Sequence, residues 1–349
     1  MGFSFHKVTL KKRFPLAISR GVRYDSENLF VRYEKDGYVG WGEGAPGGTE
    51  GASTADEIQT VLKEFIATGI EGFSIQELYD RASEMRIPPC AYVALDTAFW
   101  DWKAKKAHLP LRQLLGFSRA HTPTSVTIGI NLPEVVKERV PLLLDGTTVQ
   151  SLKIKLGSPD GIEADKAMFE QVVESTKTYD VKLRVDANGG WDVSQAQHMM
   201  KWLAERKVDY IEQPLKEGEE DGLKILYNGR ALPIYVDESC RFSHNIPAFA
   251  PYVDGVNMKL MKCGGITEAL RIIGTARAHG LKTMIGCMSE SSIAIAAAAS
   301  LTGGIDHIDL DSHYNLAPDP AEGAPMVEGV TLPPDIPGHG AILKQEYYA

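Results

Sequence analysis

The sequence has no cluster of basic residues of the kind that neutralises a row of phosphates. Its 349 residues contain 37 Lys and Arg against 46 Asp and Glu, which gives a formal net charge of -9. The positive charges are spread along the chain rather than grouped. Because affinity for nucleic acid rests largely on clustered Lys and Arg, we expect no nucleic-acid partner.

Long apolar runs and paired cysteines are missing as well. The longest apolar run, residues 293–301, is much shorter than the roughly 20 residues of a membrane-spanning helix. The first residues contain no continuous apolar stretch, and His6 stands where a myristoylation signal has Ser or Thr. The four cysteines lack the spacing of a zinc site or a disulfide framework. We therefore expect a soluble, cytoplasmic protein with no membrane partner.

What the sequence does contain is an alternation of strands and helices. Eight short apolar or β-branched runs follow one another: SVTIGI, SLKIKL, VKLRVD, DYIEQ, PIYVDE, DGVNMKL, LKTMIG and DHIDLD. Between them, apolar residues recur at three- and four-residue steps, as in amphipathic helices. This pattern predicts an α/β fold with a parallel sheet, and eight strands favour a closed (β/α)8-type barrel. An open doubly wound sheet remains an alternative, although no GxGxxG motif follows a strand.

The N-terminal segment has a different pattern. Short runs around a KDG turn predict an antiparallel meander. Three helices are expected after it, over about residues 56–68, 75–85 and 92–105. We predict an α+β domain over residues 1–118, completed by the Pro- and Gly-rich tail at 317–349, and a barrel domain over 119–316.

Charged residues stand at the predicted carboxyl ends of six of the eight strands. In barrels of this kind the active site is built at those ends. The residues concerned are Lys153, Lys155, Asp186, Glu212, Asp237, Lys259, Asp309 and Asp311. Taken singly, two lysines at i and i+2 indicate a solvated strand face, and an Asp at a strand end indicates a helix N-cap. No single residue therefore identifies a site.

Taken together, the charged residues predict a metal site. Lys153 and Lys155 point the same way, and inward is favoured because helices outside the barrel would bury an ammonium at high cost. Three consecutive strands end in Asp186, Glu212 and Asp237. Their carboxylates would converge and repel one another unless a cation lay between them. Hard oxygen ligands suit Mg²⁺, and the cluster contains no His that would favour zinc.

Several motifs resemble, in order and spacing, the muconate-lactonizing subgroup of the enolase superfamily. In the barrel segment they are KIK, RVDANGGW, IEQPL, VDES, VNMKLMKCGGI and GCMSES. In the first domain they are GWGEGAP and ALDTAFWDWKAKKAHLPLRQLLG. The resemblance extends over nearly the whole chain. It implies a modified (β/α)7β barrel with an N-terminal α+β capping domain.

The resemblance also implies roles for the charged residues. The family's magnesium ligands correspond to Asp186, Glu212 and Asp237. Lys155 and Lys259 would be an acid/base pair on opposite faces of the substrate, with Lys153 stabilising a charged intermediate. The mandelate racemase subgroup has a His in place of Lys259, so the chain is unlike that group. The implied reaction is a 1,1-proton transfer through an enediolate that Mg²⁺ stabilises.

The end of the eighth strand narrows the implied substrate. Asp309 and Asp311 resemble the signature of dipeptide epimerases, in which two carboxylates hold the free ammonium of the first residue. The chain would then be an isomerase that inverts the α-carbon of a dipeptide's C-terminal residue. Arg20 aligns with an arginine that pairs with an acidic second side chain in relatives resembling Ala-Glu epimerases. An Ala-Glu-like dipeptide is therefore the expected substrate.

Several alternatives stay open at this point. Two mobile loops are expected near residues 18–28 and 46–54, and they carry Asp25, Glu27 and Glu50 as well as Arg20. These acids would favour a cationic side chain, although each charge taken alone is expected to be solvated. Within the family, o-succinylbenzoate synthase, muconate cycloisomerase and N-acylamino acid racemase need no ammonium pocket. Outside it, a Schiff-base barrel aldolase or lyase and a barrel that only binds a ligand remain. A homo-oligomer is compatible with the resemblance, but the sequence does not give the number of subunits.

Overall fold

The chain begins with a three-stranded antiparallel sheet. The structure, a computed structural model, describes residues 2–348. The strands of this sheet are β1 (Gly2–Ile18), β2 (Gly21–Lys35) and β3 (Tyr38–Gly44). Asp36 and Gly37, with φ angles of 53° and 79°, form the two-residue turn between β2 and β3. Such a turn matches the twist of the strands, and the predicted meander around the KDG turn is confirmed.

The connection between β1 and β2 differs from the expectation. The expected loop over residues 18–28 is wrong, because Ile18 pairs with Gly21 and Lys11 with Asp25 in a hairpin. Only Ser19 and Arg20 form the turn. The first five residues of β2 are all exposed, so neither face of this segment is buried in the way that the strand pattern assumes.

Helices cover one face of this sheet. They are α1 (Ala55–Ala67), α2 (Ile75–Glu84), α3 (Pro89–Lys106) and α4 (Leu111–Leu114). The three predicted helices are confirmed, although α3 begins three residues earlier because Pro89 occupies its first turn, where a missing N–H costs nothing. Helix α3 packs closely on β3, since a Cβ atom at Gly42 would lie 2.0 Å from the Ala94 carbonyl oxygen.

Eight parallel strands follow in chain order and form the barrel. They are β4 (Val126–Ile128), β5 (Ser151–Lys155), β6 (Lys182–Asp186), β7 (Ile211–Glu212), β8 (Ile234–Val236), β9 (Gly255–Lys259), β10 (Lys282–Gly286) and β11 (His307–Asp309). Thr124 bridges to Ile308, and the Ser125 N–H donates to the Ile308 carbonyl at 3.0 Å. These contacts join the first strand to the last, so the predicted barrel is confirmed and the open sheet is excluded.

Helices surround the barrel. They are α5 (Pro133–Leu144), α6 (Ile162–Thr176), α7 (Val193–Ala204), α8 (Leu223–Tyr227), α9 (Ile246–Phe249), α10 (Leu260–Cys263), α11 (Ile266–Ala278) and α12 (Ser292–Ala299). The strands that they cover carry apolar side chains on their outward positions, for example Leu152, Ile154 and Val185, all of which are buried. Among residues 2–348, no helix combines the length and apolar character needed to cross a membrane.

Two buried carboxylates of the first unit reach the amino ends of barrel helices. Glu43, on β3, accepts hydrogen bonds from the N–H groups of Ser291 at 3.0 Å and Ala294 at 3.2 Å, at the start of α12. Asp96, on α3, accepts one from the N–H of Thr267 at 3.1 Å, at the start of α11. The first N–H groups of a helix have no partner within it. The first unit therefore completes two helices of the barrel.

The tail after the barrel contacts both units. It contains the short strands β12 (Ala321–Glu322), β13 (Met326–Val327), β14 (Val330–Thr331) and β15 (Ile342–Leu343). The His339 N–H donates to Asp101 of α3 at 2.9 Å, and the Leu111 N–H donates to the Gly338 carbonyl at 2.7 Å. Strands β12 and β15 lie against α12. The domain boundaries at residues 118 and 316 stay a prediction.

Candidate active site

The carboxyl ends of the barrel strands bring the charged residues to one level. Strand pairing places Lys155 beside Asp186 and Asp186 beside Glu212, whereas Gly286 pairs with Lys259 on the other side of the barrel. Side chains of parallel strands at one level and of one orientation face a common interior. The mouth of the barrel is therefore lined by amines and carboxylates.

The two lysines of β5 point into the barrel and are buried. Lys153 Nζ lies 2.6 Å from Glu212 Oε2, 2.6 Å from Asp309 Oδ2 and 3.7 Å from Asp186 Oδ2. Lys155 Nζ lies 2.6 Å from Asp186 Oδ2. The side chain of Lys153 has no exposure and that of Lys155 keeps 8 %. Lys153 is thus enclosed among three carboxylates, whereas Lys155 keeps contact with the open cavity.

Three carboxylates meet in the centre of the mouth. Asp186, Glu212 and Asp237 each offer an oxygen atom, and these atoms all lie within 4.8 Å of one another. Their orientation is fixed from outside the cluster: the Asn188 N–H donates to Asp186 Oδ1 at 2.8 Å, and Asn257 Nδ2 donates to Glu212 Oε1 at 2.7 Å. The remaining oxygens face the centre.

Lys259 faces this cluster from the opposite side. It ends β9, four strands away from β5 in a barrel of eight, so its side chain and that of Lys155 approach the centre from opposite directions. Lys259 Nζ lies 2.8 Å from Asp237 Oδ2. Gly286 leaves room for it, because a Cβ atom there would lie 3.1 Å from Lys259 Cε.

Sequence reasoning missed several residues that hold the cluster in place. Lys262 is buried and donates to the Asp237 carboxylate and to the Asn257 carbonyl oxygen, the latter at 3.3 Å. Gln213 Oε1 accepts the Asp237 N–H at 2.8 Å. Lys262 follows Lys259 by three residues in NMKLMK, and that spacing is the only sequence signal for it. The other contacts are tertiary and have no local signature.

Burial and charge set the protonation of the cluster. Burial, together with the neighbouring Asp186, raises the pKa of the Glu212 carboxyl to about 8. Burial acts against ionisation of Asp237 too, but the ammonium groups of Lys259 and Lys262 hold the pKa of that carboxyl well below its usual range. Burial also disfavours the charged form of Lys259, yet the Asp237 carboxylate raises the pKa of this lysine above its usual value. The lysine ammonium groups therefore keep Asp237 ionised, whereas Glu212 is largely protonated near neutral pH.

The carboxylate cluster fits a divalent cation with oxygen ligands. Glu212 Oε2 and Asp237 Oδ2 are buried without a well-directed hydrogen bond, although lysine ammonium groups lie near both. Three buried carboxylates without His or Cys are the hard donor set that Mg²⁺ prefers. Burial is the first cause of the raised pKa of Glu212 and repulsion from Asp186 is the second; a cation at the centre would remove that repulsion.

Asp309 and Asp311 lie beside the cluster, at the edge of a cavity of about 100 Å³. Asp309 Oδ2 accepts from Lys153, while Oδ1 is buried without a partner. Asp311 follows the end of β11 and accepts the Thr127 N–H at 2.7 Å. Burial and the neighbouring Asp309 raise the pKa of Asp311 to about 6. Both carboxylates line this cavity together with Lys155, so the structure brings all three to one space.

Arg20 lies at the tip of the β1–β2 hairpin, over the other side of the mouth. Its guanidinium donates to the Asn188 carbonyl oxygen at 2.7 Å and to Glu238 Oε1 at 2.6 Å. Arg20 and Glu238 line a separate cavity of about 500 Å³ together with Gln213 and Trp191. The charge of Arg20 is therefore already paired within the protein.

The three acidic residues that were expected on loops with Arg20 differ in their burial. Asp25 and Glu27 are exposed on β2, as expected of solvated residues. The expectation that Glu50 is solvated is wrong: its side chain keeps 5 % exposure, accepts from the Thr49 hydroxyl at 2.6 Å, and lies 3.7 Å from Arg241. The local sequence does not reveal this burial because the contact comes from the loop after β8.

The chain is similar to known proteins over its whole length. Residues 3–116 match the family described as mandelate racemase / muconate lactonizing enzyme, N-terminal domain, and residues 136–347 match enolase C-terminal domain-like proteins. A hydrophobic dipeptide epimerase from Flavobacteria bacterium strain MS024-2A is 84% identical over 100% of both chains. One from Roseobacter litoralis is 59% identical over 98% of this chain and 99% of its own. A crystal structure of the Enterococcus faecalis V583 dipeptide epimerase, complexed with Mg and L-Leu-L-Tyr, has a TM-score of 0.87 and 32% identity, and covers 97% of this chain and 98% of that one.

Proposed function

Because this chain belongs to the mandelate racemase / muconate lactonizing enzyme family of the enolase superfamily, we propose that it is a dipeptide epimerase that acts on hydrophobic dipeptides. The reaction is inversion of the α-carbon of the C-terminal residue by removal of a proton from one face and return of a proton to the other. The observation that carries this proposal is the position of Lys155 and Lys259. They face each other across the carboxylate cluster from strands on opposite sides of the barrel.

The metal site belongs to the same proposal. Asp186, Glu212 and Asp237 would hold Mg²⁺, as their buried and convergent oxygens support. When bound, the ion supplies positive charge that offsets the negative charge developing on the substrate carboxylate as the α-proton leaves. The protein's part is to keep the three ligands oriented through Asn188 and Asn257. Such outer contacts fix the geometry of a metal site.

The lysines divide the proton transfer between them. Lys155, whose side chain keeps contact with the cavity, accepts or donates the proton on one face of the α-carbon. Lys259 does the same on the other face. Lys153 has no access to solvent and is held by Glu212 and Asp309, so its ammonium stays in place as a positive neighbour of the substrate carboxylate. Because either lysine can begin, the reaction runs in both directions.

The free ammonium of the substrate's first residue is the group that Asp309 and Asp311 would bind. One Asp309 oxygen is buried without a partner, and Asp311 lines the same cavity. Hydrogen bonds between an ammonium and carboxylates are about twice as strong as neutral ones. An N-acylated amino acid or a succinylbenzoate precursor has no such ammonium, so these carboxylates favour dipeptides over the substrates of other family members.

Hydrophobic dipeptides fit the site better than the Ala-Glu substrate expected from Arg20. The cavity beside Asp309 and Asp311 is walled by Phe14, Leu16 and Leu143, which favours an apolar first side chain. Arg20 pairs with Glu238 at 2.6 Å, so an acidic second side chain would have to displace that carboxylate. The hydrophobic dipeptide epimerases of Flavobacteria bacterium and Roseobacter litoralis, 84% and 59% identical to this chain, support the same substrate class.

The test is solvent exchange with a panel of substrates. The purified enzyme with Mg²⁺ in D₂O is given L-Leu-L-Leu, L-Ala-L-Phe, L-Ala-L-Glu and N-acetyl-L-leucine, and deuterium at the α-carbon of the C-terminal residue is followed by NMR. We expect exchange and epimerisation for the first two, loss of both with EDTA, and recovery with added Mg²⁺. Faster exchange of L-Ala-L-Glu than of the two hydrophobic dipeptides would instead indicate that Arg20 selects an acidic second side chain. Exchange restricted to N-acetyl-L-leucine would overturn the dipeptide proposal.

The cellular setting and the assembly stay predictions. A cytoplasmic enzyme is expected from the sequence, a homo-oligomer is compatible with the family resemblance, and no partner beyond the dipeptide is proposed. Fractionation of the native organism's cells and light scattering of the purified protein test the two expectations.

A further inference from the structure

The cavity that contains Asp309 and Asp311 has an acidic floor and a basic wall. Strand β1 closes one side of the cavity and contributes Lys12 and Phe14 to it. Helix α5 contributes Arg139, whose guanidinium stacks on the Phe14 ring at 4.5 Å from the ring centre. The wall that faces the predicted ammonium pocket therefore carries positive charge of its own.

Lys12 is the unusual member of this wall. It is half-buried, and its ammonium makes no hydrogen bond or ion pair with any residue between 2 and 348. Burial lowers the pKa of Lys12, although Cys287, Asp311 and Glu290 act in the opposite direction. Burial also raises the pKa of Glu290 to about 8, so near neutral pH this neighbour is largely protonated, and Asp311 is the neighbouring carboxylate that remains ionised.

The first side chain of a bound dipeptide has to lie against this wall. The ammonium of the substrate is expected at Asp309 and Asp311, and the reacting α-carbon lies between Lys155 and Lys259. These two anchors fix the two ends of the short backbone. The side chain of the first residue can then extend only into the rest of the cavity, which Lys12 and Phe14 enclose.

On the basis of the function proposed above, we propose that Lys12 is a specificity-determining residue that rejects dipeptides with a cationic first side chain. An apolar side chain gains contact with Phe14, Leu16 and Leu143 and leaves the Lys12 ammonium undisturbed. A lysine or arginine side chain brings a second positive charge beside it. For like charges roughly 6 Å apart at the protein surface, the repulsion corresponds to about a tenfold to a hundredfold loss.

The experiment compares two substrates of similar shape, L-Met-L-Leu and L-Lys-L-Leu, in the Mg²⁺-loaded enzyme. The measured quantity is the ratio of kcat/KM for L-Lys-L-Leu to that for L-Met-L-Leu, because a ratio cancels any general loss of active enzyme. We expect this ratio to rise at least about tenfold in Lys12→Met and in Lys12→Gln. It should stay close to the wild-type value in Lys12→Arg, which keeps the charge.

Lys11→Met is the matched control. Lys11 is the preceding residue of β1, is exposed, and does not line the cavity, so its removal deletes the same charge without changing the ratio. An unchanged ratio in both Lys12→Met and Lys12→Gln, or an equal rise in Lys11→Met, would overturn the assignment of Lys12. If the wild-type enzyme epimerises neither substrate, nor any other dipeptide, it is the proposed function that fails.

Discussion

Removal of one lysine of the opposed pair should abolish inversion but leave proton exchange on a single face. In Lys259→Met, Lys155 can still take the α-proton of one epimer and return a deuteron from D₂O to the same face. That epimer should exchange without inversion, whereas the other epimer should be inert. Lys155→Met should show the opposite preference. Because the two lysines lie on opposite sides of the barrel, the two variants should be complementary.

The expected loss of epimerisation in Lys259→Met follows from the contacts that this substitution leaves in place. Asp237 loses Lys259 as a partner but keeps Lys262, so the carboxylate remains paired and the cluster remains assembled. The loss should therefore reflect the missing acid or base, which typically contributes about 10²–10⁴-fold, or about 3–5 kcal/mol of transition-state stabilisation. Epimerisation should fall by at least this factor.

The assay is NMR of each pure epimer of L-Leu-Leu in D₂O, with deuterium incorporation and epimer ratio followed separately. Lys262→Met is the matched control, since it removes another buried ammonium from the same carboxylate without removing either proposed acid/base group. Lys262→Met should slow the proton exchange of both epimers by a similar factor. If Lys259→Met still inverts the α-carbon, or if both lysine variants exchange the same epimer, the reasoning is refuted.

Three further predictions concern the pocket, the packing and the pH dependence. Asp311→Asn should lower kcat/KM for dipeptides about 10- to 100-fold, as expected for a charge-assisted hydrogen bond worth about 1.5–3 kcal/mol, and a similar loss for an N-acylated substrate would argue against the ammonium pocket. Gly42→Ala should destabilise the fold by about 1–3 kcal/mol, because its Cβ would lie 2.0 Å from the Ala94 carbonyl oxygen; Gly274→Ala, with nothing within 4 Å, is the control in urea unfolding. Burial raises the pKa of the Glu43 carboxyl to about 7, so the stability that this group contributes is present below its unfolded pKa of about 4.3 and is lost as the pH rises through 7. Glu43→Gln should flatten the fall in stability between about pH 4.3 and pH 7, and an unchanged slope would contradict this assignment.

The sequence was sufficient to predict the convergence of the charged residues. Lys155, Asp186 and Glu212 end successive strands of one parallel sheet, and parallel strands end at one rim, so their proximity follows from chain order alone. The alternation of strand residues likewise placed Lys153 and Lys155 on one face. These predictions needed only local patterns and one topological rule.

The residues that orient the site could not be predicted in the same way. Asn257 and Gln213 contact Glu212 and Asp237 across strands, and nothing in their own neighbourhood marks them as partners. The burial of Glu50 depends on Arg241, almost two hundred residues away. The residues at the start of β2 are exposed on both faces, so no buried face distinguishes this hairpin from a loop in the sequence.

The carboxylates of Glu43 and Asp96 bear on how this protein can be recombined with its relatives. Each one accepts hydrogen bonds at the start of a barrel helix, so the barrel expressed alone would leave the N–H groups of Thr267, Ser291 and Ala294 without these acceptors. A chimera that carries the N-terminal unit of another protein would need an acid at both positions to keep these contacts. Exchange of these units between enzymes is therefore constrained by two side chains far from the substrate.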